Sequence, residues 1–213
     1  MKEPRKFKRA TRAGAIYNIT HDCFELDGVW AQVLGEPEKN GAWIIYGPEK
    51  NGKTWLALML ANYLSSLTKV HYISAEEGTS KGFVDCCIRA RIEPNNRSLY
   101  FVEYEPISEL KARLNSRNAP GIVFIDNLTI YSDELNSKAF KELLDDHPHT
   151  LFIFLAHEER GLPYTAVAKL CKRLSKIIFR VQALTCIVEG RCPGGRVLID
   201  ENQAALYHGQ SII

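Results

Sequence analysis

Eight consecutive residues, Gly47-Pro48-Glu49-Lys50-Asn51-Gly52-Lys53-Thr54, set two glycines, a lysine and a hydroxyl in the spacing G-x-x-x-x-G-K-[ST]. Glycines at the first and sixth positions admit backbone angles and a close approach that a Cβ would obstruct, so successive N–H groups can turn inward around an anion. Lys53 adds a positive charge and Thr54 a hydroxyl suited to a hard cation. Together these types fit capture of a triphosphate with its Mg²⁺, Lys53 neutralising the β- and γ-phosphates and Thr54 completing the metal shell. Lys50 has no separate claim and is expected to face solvent. A near copy of the loop at 35–41 is followed by Ala42-Trp43, where lysine and a hydroxyl are needed, so only the second copy suits a phosphate.

Three further polar residues close apolar runs. Ile122-Val123-Phe124-Ile125-Asp126 ends in a carboxylate that could offset a metal ion through water. The run 70–74 leads into Ala75-Glu76-Glu77-Gly78, and Glu76 is the expected base that orients a water for attack on a γ-phosphate. Glu77 is better suited to capping the helix that follows. The run Ile153-Phe154-Leu155-Ala156 ends at His157, placed to sense the γ-phosphate, whereas His147 and His149 flank Pro148 in a predicted turn.

Such residues must be gathered by a framework, and the pattern from residue 42 onward supplies one. Short apolar runs alternate with longer amphipathic ones, which predicts parallel strands joined by helices. Strands are expected at 42–46, 70–74, 99–102, 122–126 and 150–156, and helices at 53–67, 81–91, 107–115, 137–145 and 164–174. Closely spaced runs at 177–181, 184–189, 196–199 and 204–207 predict an antiparallel meander extending the sheet. The fold class expected is therefore α/β, a mostly parallel sheet flanked by helices with a C-terminal antiparallel extension. Residues 14–41 mix short apolar pieces with turn residues and read as a lead-in. In this frame the loop at 47–54 follows a strand and opens a helix, whose N-terminal dipole favours anions.

The whole chain of 213 residues suits one sizeable domain. No apolar run approaches the ~20 residues of a membrane helix, and the N-terminus lacks a signal-like apolar core, so a cytoplasmic protein with no membrane partner is expected. Six cysteines include no C-x-x-C pair and read as reduced core thiols. Of the 27 basic residues, six (Lys2, Arg5, Lys6, Lys8, Arg9, Arg12) lie in residues 1–12 against the single acid Glu3. The remaining 21 basic and 24 acidic residues leave a body of net charge −3. The division expected is a basic arm at 1–13, suited to a polyanion, and one domain at 14–213.

With these residues assembled, the chain resembles the RecA-like P-loop ATPases, which include recombinases, the RadA-type repair ATPase and replicative hexameric helicases. The loop at 47–54 is similar to the recombinase loop even to its acidic third residue. Ile73-Ser74-Ala75-Glu76-Glu77 resembles the strand that ends in the catalytic glutamate, Ile125-Asp126-Asn127 the metal-binding strand end, and Leu155-Ala156-His157 the sensor strand. The resemblance covers roughly 35–207. It implies ATP and Mg²⁺ as ligands, a DNA partner in replication, recombination or repair, and a homo-oligomer, hexameric in some members. It also gives the turn at 189–194 a role on a neighbouring subunit's nucleotide. Glu189 stands where a lysine is expected there, which leaves Arg191. The short single-domain form resembles ATPases of phages, prophages and mobile elements. Two alternatives stay open: a nucleotide-dependent switch with little turnover, and a small phosphoryl-transfer kinase.

Overall fold

The computed structural model describes residues 10–200. The expected strand at 204–207 and the first nine residues of the basic arm lie outside them. In chain order the elements are α1 (Ala13–Ile16), α2 (Gly28–Leu34), β1 (Gly41–Gly47), α3 (Lys53–Ser65), β2 (Val70–Ser74), α4 (Lys81–Arg89), β3 (Leu99–Val102) and α5 (Ile107–Leu114). There follow β4 (Ile122–Asp126), α6 (Ser137–Asp146), β5 (Leu151–Glu159), β6 (Leu162–Pro163), α7 (Ala166–Leu174), β7 (Ile177–Gln182), β8 (Thr185–Gly190) and β9 (Gly195–Leu198).

Strands buried on both faces read as continuous apolar runs, as β1, β2, β4 and most of β5 do, and the parallel strands pair in the order β3-β2-β4-β5-β1-β7. β8 and β9 then add antiparallel, as the meander pattern predicts. Successive side chains of β1 point to opposite faces: Trp43 and Ile45 join one core layer, Ile44 and Tyr46 the other. Leu56 and Leu60 of α3 and Phe83 of α4 fill the first layer, while Leu110 of α5, Phe140 of α6 and Val167 of α7 fill the second. Each such side chain removed from water stabilises the fold by about 1.5–3 kcal/mol. The site-bearing strand β1 is thus fixed from both sides.

A bidentate ion pair locks it laterally. Arg180 of β7 donates through Nε and Nη2 to Glu158 of β5, both at 2.9 Å, and β5 and β7 are the two neighbours of β1. Paired guanidinium and carboxylate forks hold a fixed geometry.

Several boundaries differ from the sequence reading. α7 begins at Ala166, not 164, because the Thr165 hydroxyl accepts the Ala168 N–H at 3.1 Å and caps the helix there. β5 runs on to Glu159 because it turns at Arg160 and Gly161, both at positive φ, and pairs with the two-residue β6, too short to leave a pattern. The lead-in contains α2, whose Trp30, Val33 and Leu34 are buried and whose Val33 carbonyl accepts the Gly194 N–H at 3.0 Å. All six cysteines are free, but only Cys171 and Cys186 are core thiols; the other four are half-buried.

Candidate active site

The parallel strands deliver their C-terminal ends to one edge of the sheet, where open α/β sheets bind ligands. Gly47 stands beside His157 across the β1–β5 pair, and Ser74 beside Asp126 across β2–β4. Glu76 follows two residues beyond β2. A cleft of about 400 Å³ opens there, with Lys53, Thr54, Glu76, Asp126 and His157 among its walls. The sequence-predicted loop, metal and base residues are therefore brought together.

The loop needs its glycines for identifiable reasons. A Cβ on Gly47 would lie 2.0 Å from the Val181 carbonyl oxygen of β7, and Gly52 sits at φ +98 with its would-be Cβ 2.7 Å from Leu184. Gly52 is the N-cap of α3 and has no side chain to satisfy the first-turn N–H groups, which leaves them directed at the cleft. Lys53 is buried and its Nζ donates to the Pro48 carbonyl at 2.8 Å, a position in which a phosphate oxygen could replace that carbonyl. Burial pulls the Lys53 ammonium below its usual range, opposed by the nearby Asp126 and Glu76 carboxylates. Lys50 is exposed at the loop's rim, with φ 58.

Asn51 ties the loop to the meander. Its Oδ1 accepts the Ala183 N–H at 2.7 Å, its carbonyl accepts Leu184 N–H at 3.3 Å, and its Nδ2 donates to Glu49 O at 2.7 Å. The β7–β8 turn thereby rests on the phosphate loop.

Thr54 Oγ1 donates to Asp126 Oδ2 at 3.1 Å, and the buried Tyr72 hydroxyl donates to the same oxygen at 2.7 Å. Burial pushes the Asp126 carboxyl up to about 7, with the Tyr72 and Thr54 hydrogen bonds opposing it. A hydroxyl and a carboxylate 3.1 Å apart at the foot of a phosphate cradle suit a magnesium ion. Among the described residues no group of three or more His, Cys, Asp or Glu could hold a metal alone. The cation would therefore draw its remaining oxygens from the phosphates and water.

Asn127, which the sequence reading quoted only as part of a motif, proves central to the polar cluster. The Thr129 N–H donates to its Oδ1 at 2.6 Å, which fixes the amide so that Nδ2 faces Glu76 and His157. That nitrogen donates to Glu76 Oε2 and lies 2.6 Å from His157 Nε2. An amide nitrogen only donates, so His157 Nε2 accepts here and the ring proton resides on Nδ1. Glu76 Oε1 is 3.2 Å from the same Nε2, a contact that becomes an ion pair only when the ring is protonated. Glu77 has no such partners and also borders the cleft.

Arg191 is not brought to this site. It follows β8, whose last residue Gly190 pairs with Ile177, and Ile177 pairs with Trp43 near the start of β1. The turn thus lies toward the sheet edge opposite the loop of the same chain.

No family model matches the chain, and no curated protein matches its sequence. Solved structures do match its fold. The flagellar accessory protein FlaH from Methanocaldococcus jannaschii superposes with a TM-score of 0.58 at 16% identity, over 84% of this chain and 92% of that one. The fold is RecA-like. An ATP synthase subunit, NeqB from Nanoarcheaum equitans, superposes with a TM-score of 0.54 at 13% identity, over 84% of this chain and 55% of its own. In this RecA-like frame the cleft occupies the sheet edge where the four strand ends β1, β2, β4 and β5 converge. Among the described residues no helix is long and apolar enough to cross a membrane.

Proposed function

We propose that the chain binds ATP with Mg²⁺ on the loop at 47–54 and hydrolyses it. The observation that carries this reading is the convergence at one sheet edge of the uncapped α3 N-terminus, Lys53, the Thr54–Asp126 pair and the Asn127-held Glu76. Lys53 and the first-turn N–H groups hold phosphate oxygens, Thr54 and Asp126 hold the cation, and Glu76 draws a proton from an attacking water. The cation, when bound, neutralises charge that develops between the β- and γ-phosphates. Asn127 orients the Glu76 carboxylate, and His157 faces the terminal phosphate.

The same reading places the protein in an assembly of identical chains acting on DNA in replication, recombination or repair. Support for DNA comes from the motif resemblance and from the basic arm, most of which lies outside the described residues. The loops beyond the site's strands add little: 127–136 carries Asp133 and Glu134 without a basic residue, and 158–165 carries Glu158, Glu159 and Arg160. In an assembly Arg191 serves a neighbour's nucleotide, since it lies toward the end of the sheet opposite its own phosphate loop.

Lys53→Ala tests the site: calorimetric titration with ATP·Mg²⁺ should show binding to the wild type and none to the variant, whose circular dichroism stays native. Equal affinity in both would overturn the assignment. For the assembly, mixing Arg191→Ala with Lys53→Ala chains should restore part of the ATPase activity that neither shows alone. No recovery would confine Arg191 to a surface role.

A further inference from the structure

The cleft continues beyond the phosphate-binding residues. Its far wall is made by Trp55 on the first turn of α3, Cys86 and Arg89 on α4, and Leu184 of the β7–β8 turn. The Arg89 guanidinium lies over the Trp55 ring, 5.0 Å from its centroid. Two contacts to its own helix set the plane of that group: Nε donates to the Asp85 carbonyl at 3.3 Å and Nη2 to Cys86 Sγ at 3.1 Å. The Trp55 Nε1 is covered and has no acceptor, so the ring is held there by packing on its faces. Arg89 itself is exposed, so a charged plane backed by an indole is offered to the cleft.

We propose that this wall is the nucleobase subsite, with the base stacking on the guanidinium of Arg89 while Trp55 supports it from behind. The inference rests on the phosphate-loop reading. With the terminal phosphate at Glu76 and His157, the sugar and base leave along the floor formed by the first turn of α3. Trp55 directly follows the cation-binding Thr54 there, and Leu184 adds an apolar side chain to the same lining. A planar guanidinium stacks on a π-face as an ammonium cannot, because its charge is delocalised and weakly hydrated. Arg89 therefore selects a flat ring system, and phosphate binding is left to Lys53 and the loop.

The test compares ATP with inorganic tripolyphosphate, each with Mg²⁺, by calorimetry on wild type, Arg89→Ala, Arg89→Lys and Lys53→Ala. Stacking of one base is worth enough that Arg89→Ala should weaken ATP ~10-fold while leaving tripolyphosphate unchanged. Arg89→Lys should fail to restore ATP affinity, since it returns the charge without the plane. Quenching of tryptophan fluorescence by ATP, but not by tripolyphosphate, should vanish in Trp55→Phe. Equal weakening of both ligands by Arg89→Ala would make Arg89 a phosphate contact and overturn the subsite, as would unchanged ATP affinity. Tripolyphosphate binding that Lys53→Ala does not weaken would instead refute the phosphate-loop reading beneath it.

Discussion

Glu76 and Glu77 are adjacent carboxylates, and their neighbours separate them. Glu76 is held by Asn127 Nδ2 and stands 3.2 Å from His157, whereas Glu77 belongs to the turn before α4. In the proposed reading Glu76 is the base, and a base must be aimed as well as present, which the Asn127 contact would supply. Glu76→Gln should therefore bind ATP normally and hydrolyse it ~100-fold more slowly or worse, the scale of general-base contributions. Glu77→Gln should stay within a few-fold of wild type in the same steady-state assay; if Glu77→Gln is the slow variant, the base has been misassigned. Glu76 could be nominated from sequence because a carboxylate after an apolar strand is a local pattern. Asn127 could not be weighed that way. Its role depends on Thr129 fixing its amide and on Glu76 and His157 arriving from other strands.

At the scale of elements, strands buried on both faces were the most legible part of the sequence. β2 and β4 have the bounds that their apolar runs predict, because nothing but burial decides them; the edge strand β3 matches its apolar run too, although Tyr100 and Phe101 are exposed. Ends set by side-chain caps or short pairings, such as the start of α7 and the β5–β6 turn, needed contacts that no local pattern holds. The closeness of β7 to the phosphate loop was equally hidden. Gly47 reads as a phosphate-loop glycine, yet its missing Cβ also makes room for the Val181 carbonyl at 2.0 Å. Gly47→Ala must push β7 aside, and overpacking of this kind typically costs ~1–3 kcal/mol. We expect a lower Tm together with lost ATP affinity, measured by thermal melts and titration. Lost affinity with an unchanged Tm would mean that the glycine serves the phosphate alone.

Across the whole molecule, a buried charge cluster lies away from the cleft. His71 of β2 places Nε2 2.7 Å from Glu105, which also accepts from Arg113 at 2.8 and 2.6 Å. Burial holds the His71 imidazole below its ordinary 6.5, an effect that Glu105 opposes. A base held neutral in the fold takes its proton more readily once unfolded. Its stabilising share is therefore complete above about pH 6.5 and is lost as pH falls through the lower folded value. Asp126, whose carboxyl burial raises to about 7, works in the opposite sense over the same range, so the His71 share is read as a difference: in thermal melts between pH 7.5 and 5 the Tm of His71→Gln, which can keep the N–H donor without titrating, should gain on that of the wild type as the pH falls. Parallel curves for the two proteins would assign the acid sensitivity to other groups.

The Asn51 bridge between the phosphate loop and the β7–β8 turn makes two distant stretches of chain one opening unit. The amides of Ala183 and Leu184 are donated to Asn51, so neither can reach solvent deuterium unless the loop lets go. In exchange experiments these two amides should slow in step with the loop's own when ATP·Mg²⁺ is added, although no atom of the turn need touch the phosphates. Whatever grips the outer meander strands would then be pulling on the same latch from the other side, and could loosen or tighten the hold on nucleotide without entering the cleft.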